Sequence, residues 1–447
     1  MTARRSVLDT LMKVTEEGAF ANLAVKEGLS DVRPNELGRS TALLYTTLEH
    51  ISYCDFLISH YAKGRIQPKI CGILRLGIAE LFFMDTPDHA VCNESVKLAC
   101  EIGKSQLKGF VNGVLRSILR DKQAGTLPQL PFDDAERLAV ETGYPLFFIR
   151  EHISLYGKEA AEAFFKAPLC KSCVRAVWPD SLGDIAGELA VFGASNCDIT
   201  PDDACFVDSF EGLTDNKLFK EGRIAVQSPG AMLACKCLAP KAGMKVLDCC
   251  AAPGGKTGYV FDLMQRRGSI IAWDLHPHRV GLINSTLERL RIPLITVDEA
   301  LSGAYGVAAC VRDASAHDDG LDEHFDAVLC DVPCSGLGGG GKPDARLRRT
   351  EDGVGELAAL QLKILSQCSR YLKLGGALVY STCTVSQREN EGVVTAFLKD
   401  NGDFVLSSLE DCLPDKLRER GKCGMLTLMP NVDGTDGFFI AKFTRTK

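Results

Sequence analysis

Nowhere in this 447-residue chain is there an uninterrupted apolar run near the roughly 18 residues that a membrane span needs, so no spanning helix is expected. The opening stretch, MTARRSVLDTLMKVTEEG, carries acids where a secretory leader needs an apolar block, and the expected location is the cytoplasm. A basic surplus is missing as well. Lys and Arg number 51 against 58 Asp and Glu, a formal charge of -7, which argues against a protein that coats nucleic acid indiscriminately while leaving room for a local basic surface. The 19 cysteines lack the regular spacing of a secreted disulfide framework, so most are expected to be reduced and buried. CKSC at Cys170 to Cys173 has no second CxxC or histidine pair to complete a tetrahedral site, and no metal is expected. The sequence shows no internal repeat, and no low-complexity tract beyond the short GLGGGG run.

What is present is globular material. Hydrophobic residues at 46% and charged residues at 24% sit near the averages for folded domains, and the length suggests two or three of them. Apolar residues recur at three- and four-residue spacings in VLDTLMKV, STALLYTTLEHI and GILRLGIAELFFM, which predicts an all-α domain over 1–130. Within it GKSQLKGFVNGVLRSILR holds Lys104, Lys108, Arg116 and Arg120 and no acid; that helix could lie along a phosphate backbone or simply present a solvated face. The prolines of DKQAGTLPQLPFDD break the period and mark a linker. A small α+β module is expected over 134–221, with strand-like CVRAVW and ACFVDSF around a helical GDIAGELAVFG. Over 222–447 the rhythm becomes strand, loop, helix: MKVLDCC, SIIAWDL, ITVDEAL, FDAVLCDV and GGALVYSTC read as strands of a doubly wound, Rossmann-like α/β sheet.

Ligands of such sheets sit at the carboxyl ends of the strands, and there the chemistry-bearing residues gather. MKVLD runs into Cys250, Ala251, Ala252, Pro253, Gly254, Gly255 and Lys256, small residues that let the backbone approach a ligand where a helix begins. This is no GxxxxGK[ST] phosphate loop, because the first glycine of that pattern is missing. Asp274, at the end of SIIAWD, is placed to take the ribose hydroxyls of an adenosine cofactor, although capping a helix is an equal alternative. Asp313 could accept an adenine amino group or sit in a surface turn. Asp331 and Cys334 follow one buried strand and Cys383 another, and two strand-end thiols at one pocket are hard to explain as packing. His276 and His278 read as a solvated helix start, and Trp178 as either a core residue or a platform for a base.

Taken together, LDCCAAPGGKT, DVPCSGLG and YSTCT resemble the Nol/Nop/Sun family of RNA 5-methylcytosine methyltransferases, in family order and over about half the chain. LLYTTLEH, ILRLGIAELFFM and GFVNGVLRSILR resemble the NusB-type RNA-binding fold. The resemblance implies a soluble monomer that transfers methyl from S-adenosylmethionine to carbon 5 of a cytosine in small-subunit ribosomal RNA. Cys383 matches the family nucleophile and Cys334 the cysteine that releases product. Residues 250–256 match the donor loop, Asp274 the ribose ligand, Asp313 the adenine-side acid, and Asp331 a residue touching both donor and base. The middle module matches the family's RNA-binding segment. Val332 stands where relatives usually have alanine, and Gly339, Gly340 and Gly341 where they tend to be basic; Lys342, Arg346, Arg348 and Arg349 follow closely and are expected to contact phosphates instead.

The implied chemistry accounts for the thiols. Carbon 5 of cytosine is a weak nucleophile until a thiolate adds to carbon 6, and a thiolate is also a competent leaving group. Rival readings are a tRNA methyltransferase, a DNA cytosine methyltransferase with its nucleophile at Cys334, and a non-catalytic ribosome-assembly factor that keeps only the RNA-binding half.

Overall fold

The computed structural model describes residues 2–196, 198–210, 212–339 and 343–447. Contacts divide the chain into two compact units, 1–167 with 342–351 and 168–341 with 352–447.

The first unit is helical. Its opening helix, Ala3–Thr15, is capped by Thr2, whose hydroxyl accepts from Arg5 N at 3.2 Å, while Pro34 and Pro68 start the helices Pro34–Glu49 and Pro68–Phe83, where a missing N–H does no harm. The apolar stripes of these helices meet in a core that includes Leu8, Leu44, Ile73, Leu74, Leu115 and Ile118. Helix Lys108–Ala124 buries Val111, Val114, Leu115 and Ile118 and turns Lys108, Arg116 and Arg120 outward. It runs through the first part of the expected linker and stops only at Gly125, in the left-handed region with φ +69°. The expected boundary near 134 is not where the contacts fall: helix Asp134–Thr142 packs on Ile51–Tyr61, and the helical run to 165 joins the N-terminal unit.

The short helix Pro343–Arg348 also belongs to this unit, and its place corrects the expected phosphate contacts. Arg346 is buried, donating to Thr142 O at 2.9 Å with its guanidinium 4.2 Å from the centre of the Tyr144 ring. Arg348 donates to Ala19 O and lies over Phe20, and Asp344 accepts from Ala21 N at 3.2 Å. Both guanidinium groups serve the protein's own fold. Lys342, Gly340 and Gly341 lie outside the described residues.

The second unit holds two sheets. β1 (Ser172–Ala176), β2 (Ala204–Val207) and β3 (Ile224–Val226) make an antiparallel sheet in the order β2-β1-β3. The expected catalytic boundary at 222 therefore cuts through this sheet, because Val226 pairs with Val174. The larger sheet contains β4 (Lys245–Asp248), β5 (Ser269–Asp274), β6 (Gly306–Val311), β7 (Phe325–Asp331), β8 (Leu372–Thr382), β9 (Phe404–Leu406), β10 (Met425–Leu428) and β11 (Phe438–Arg445). Its order is β10-β11-β8-β7-β4-β5-β6, with β9 also on β11; β4 to β8 run parallel, and β11 is antiparallel to β8. ITVDEAL is not a strand. Thr296 and Glu299 form a reciprocal capping box that starts helix Val297–Ser302, and β6 begins after it.

The central strands are buried on both faces, which is why they read as nearly continuous apolar runs. One core, with Val246, Ile270 and Leu329, lies on one side of the sheet; the other, with Leu247, Ile271, Trp273, Val328 and Tyr380, lies on the opposite side. The strand order reverses between β4 and β7, with β5 and β6 laid down on one side of β4, and β7 and β8 on the other, so the crevice for a ligand opens at their carboxyl ends.

Replacing Arg346 with alanine should lower the unfolding free energy of the helical unit by about 1–3 kcal/mol, through the lost hydrogen bond and ring contact. Urea denaturation followed by circular dichroism measures this, and an unshifted midpoint would show that the guanidinium does not hold the fold.

Candidate active site

The loop after β4 is shaped by backbone demands. Ala251 N donates to Trp273 O at 2.8 Å and Gly254 N to Ala251 O at 2.7 Å. Gly254 has φ +98°, and a Cβ there would come within 3.2 Å of the Ile283 backbone, so glycine is required. Gly255 opens helix Gly255–Leu263 with nothing within 4 Å of where its Cβ would be, which leaves free space above the loop. Ala251 is buried, Cys250, Ala252 and Lys256 are half-buried, and Pro253 is exposed.

Beneath the loop, Asp248 ends β4 and accepts from the Thr257 hydroxyl at 2.7 Å. Burial is the main cause of its carboxyl rising to about 6, opposed by the Thr257 bond and reinforced by the charge of Asp331. Lys256 bridges from the loop to β7: its Nζ lies 2.6 Å from Asp331 Oδ2, while the Ser381 hydroxyl donates to Asp331 Oδ1 at 2.8 Å. Burial works against the charge on Lys256, but the Asp331 carboxylate overrides it and holds the ammonium well above its usual range. At the end of β5, Asp274 is buried, accepting from His276 N at 3.3 Å and facing Arg279 Nε at 3.4 Å. Asp313 follows β6 on the surface, where it accepts from Ser315 N at 2.8 Å.

Parallel pairing sets Asp331 opposite Ser381, so the loops after β7 and β8 leave the sheet side by side. Cys334 Sγ and Cys383 Sγ lie 3.2 Å apart, both as free thiols. The hydrogen bond with Cys383, followed by burial, pushes the Cys334 thiol well above its ordinary range. A buried polar network holds the two loops. Glu389 Oε1 accepts from Ser335 N at 2.8 Å and from Gln361 Nε2 at 2.9 Å, and Gln361 Nε2 also donates to Pro333 O at 2.9 Å. The Ser335 hydroxyl donates to Thr384 Oγ1 at 2.9 Å, the Thr382 hydroxyl to Asn390 Oδ1 at 2.6 Å, and Asn390 Nδ2 to Thr384 O at 3.0 Å. Farther along, Gly437 N donates to Gly338 O, an approach so close that a Cβ on either glycine would strike the other's carbonyl.

The structure thus brings together Lys256, Asp331, Cys334 and Cys383, with Asp274 and Asp313 at neighbouring strand ends. Gln361, Ser335 and Thr384 escaped the sequence reading. Gln361 was detectable, because it is a polar residue on the buried face of helix Glu351–Ser369, which also buries Val354, Ile364, Leu365 and Cys368. Among the described residues Cys170 and Cys173 join no group of three potential metal ligands. Trp178 is partly exposed with Arg266 over its ring, and the rings of His276 and His278 stack.

Comparison with known proteins gives consistent results. The family described as 16S rRNA methyltransferase RsmB/F matches residues 235–444, and the NusB family matches residues 1–120. A probable ribosomal RNA small subunit methyltransferase B from Bacillus subtilis is 33% identical over 99% of both chains. A methyltransferase homologue from Pyrococcus horikoshii is 29% identical, with TM-score 0.56 over 70% of this chain and 98% of its own. NSun6 from the same organism, solved with SFG, is 21% identical, with TM-score 0.56 over 68% of this chain and 99% of its own.

Asp248 yields a test with a definite sign. Its native value of about 6 lies above the ordinary 3.8, so the folded state holds the proton more tightly, and stability falls as pH rises across that interval. Asp248→Asn keeps the acceptor for Thr257 and removes the charge. Calorimetry should find this slope gone and the melting temperature raised at pH 8; a variant that retains the slope would assign it to another group.

Proposed function

From the premise that this chain belongs to the ribosomal RNA small subunit methyltransferase B family, we propose that it methylates carbon 5 of a cytosine in small-subunit ribosomal RNA, with Cys383 as covalent nucleophile. The observation that carries this reading is the contact of two thiols, 3.2 Å apart, at the ends of adjacent parallel strands beside the loop of residues 250–256. When bound, S-adenosylmethionine supplies an electrophilic methyl group on a sulfonium. The residues present fit it: the loop has open space above Gly255, and a buried carboxylate at Asp274 ends β5, the strand beside β4, where ribose hydroxyls would lie. Residues 250–256 would hold the methionine part, Asp274 the ribose, and Asp313 the adenine edge.

In the proposed reaction the Cys383 thiolate adds to carbon 6 of the cytosine. This forms a sulfur–carbon bond and moves electron density to carbon 5, which then takes the methyl group. Cys334 keeps its proton and can donate it toward the Cys383 sulfur, which favours the thiolate at Cys383. Asp331, steadied by Lys256 and Ser381, would hydrogen-bond the ring edge as charge develops there. Afterwards the proton on carbon 5 passes to water, its bonding pair re-forms the ring double bond, and the carbon–sulfur bond breaks with its electrons returning to Cys383; the Cys334 S–H, facing that sulfur, stabilises it as it leaves. The base must be unstacked to be reached, so the target is a loop, a bulge or a flipped nucleotide. The outward face of helix Lys108–Ala124, with Lys108, Arg116 and Arg120, supplies basic charge for phosphates, and the 168–227 module, with Trp178 partly exposed, offers a second RNA surface.

The decisive experiment is trapping. Cys383→Ser should abolish transfer of labelled methyl to small-subunit RNA and form no covalent adduct. Cys334→Ser should accumulate a protein–RNA adduct visible as a gel shift under denaturing conditions. An adduct that depends on Cys334 instead would favour the DNA-enzyme chemistry and overturn the assignment. Gln361→Leu, which takes away a donor from Glu389 and one from Pro333 O, should lower kcat tenfold or more with little change in donor KM. Equal loss in both would place Gln361 with donor binding.

A further inference from the structure

Behind the proposed site, on the other face of the sheet, Cys249, Cys330 and Cys368 bring three buried sulfurs within 4.8 Å of one another. They come from three elements: the turn after β4, the next-to-last residue of β7, and the last turn of helix Glu351–Ser369. Strand alternation makes the arrangement, since Asp331 faces the crevice and its neighbour Cys330 must face the opposite core. The three sulfurs face one another within that distance, and Cys368 also donates to Ala314 O at 3.6 Å. No histidine or carboxylate joins the group among the described residues. The surroundings, Leu247, Ile271, Trp273, Val328, Tyr371 and Leu378, are those of a dry core. Buried cysteines scattered singly are ordinary packing. Three that converge from separate elements make a preformed soft-ligand tripod.

The charge of the product decides what such a tripod can hold. If three thiol protons are replaced by a monovalent ion, two negative charges remain; with a divalent ion, one remains. Either is costly in a dry core. A trivalent centre leaves none, and zinc in addition wants a fourth ligand that is not there. We propose that Cys249, Cys330 and Cys368 form a binding site for a soft trivalent metalloid, with arsenite as the natural probe. Binding forms three arsenic–sulfur bonds and breaks three arsenic–hydroxyl bonds. The three thiol protons leave with the hydroxyls as water, and no electron changes hands. Cys250 offers the way in: it is half-buried and next in the chain to Cys249, so arsenic can pass inward by thiol exchange. Because the same elements carry the donor loop, Asp331 and Gln361, loading would also slow methyl transfer; that consequence, unlike the site, rests on the function proposed above.

The test uses the full reduced chain carrying Cys383→Ser, which removes the competing half-buried thiol pair. After anaerobic equilibration with sodium arsenite, one arsenic per chain should be retained, three free thiols should disappear, and arsenic X-ray absorption should show three sulfur neighbours. Cys330→Ala or Cys368→Ala should lower retention at least tenfold, and phenylarsine oxide, which can take only two thiols, should bind at least tenfold more weakly. Should those variants fail to fold, alkylation and peptide mapping of the arsenite-loaded chain give the answer, with Cys249, Cys330 and Cys368 expected to be protected. Two sulfur neighbours, protection of other cysteines, retention unaffected by Cys368→Ala, or a preference for Cu(I) over arsenite would overturn the proposal.

Discussion

Two strand ends have to be held side by side, and the buried carboxylate of Glu389 does most of the holding. A carboxylate in a dry interior needs donors, and here two from separate stretches of chain, the backbone N–H of Ser335 and the amide of Gln361, both reach Oε1. Tyr380, on β8, adds its hydroxyl to the Glu389 carbonyl at 2.5 Å. The loop carrying Cys334 and the loop carrying Cys383 are thereby fastened to one residue. The approach of the two sulfurs follows from this fastening, and the proposed chemistry follows from that approach.

The rest of the crevice is arranged by strand alternation. In β4 and β7 alike, one residue faces the crevice and its neighbour faces the opposite core, which sets Asp248 and Asp331 on one side and Cys249 and Cys330 on the other. The pairing of Lys256 with Asp331 then links the loop after β4 to the end of β7. Charge, thiol and backbone groups reach one place because the sheet order puts β7 between β4 and β8.

Much of this was legible in the residues. The nearly continuous apolar runs located β4, β5, β7 and β8, and the small residues after β4 and the cysteines after β7 and β8 marked the expected ligand side. The misreadings have physical causes. ITVDEAL carries β-branched residues that suit a strand, but the reciprocal bonds of Thr296 and Glu299 commit it to a helix. β3 is three residues long, too short for a period, and is defined by its partner β1. Arg346 and Arg348 look from sequence like solvent-facing charge; only tertiary structure shows their guanidinium groups capping carbonyls over Tyr144 and Phe20. Gln361 stood out as a polar residue in an apolar stripe, but its task needs the positions of Pro333 and Glu389, which only the fold supplies.

The backbone contact between Gly338 and Gly437 has a bearing on how the protein tolerates change. Gly437 stands immediately before β11, the strand that pairs with β8 and brings Phe438 beneath Lys256. An early stop codon or a proteolytic cut shortly upstream of it would take away the neighbour of the Cys383 strand, the anchor of the segment that follows Cys334, and the ring under the donor-loop lysine, all at once. Residues 437–445 thus border the proposed site as closely as the cysteine motifs do.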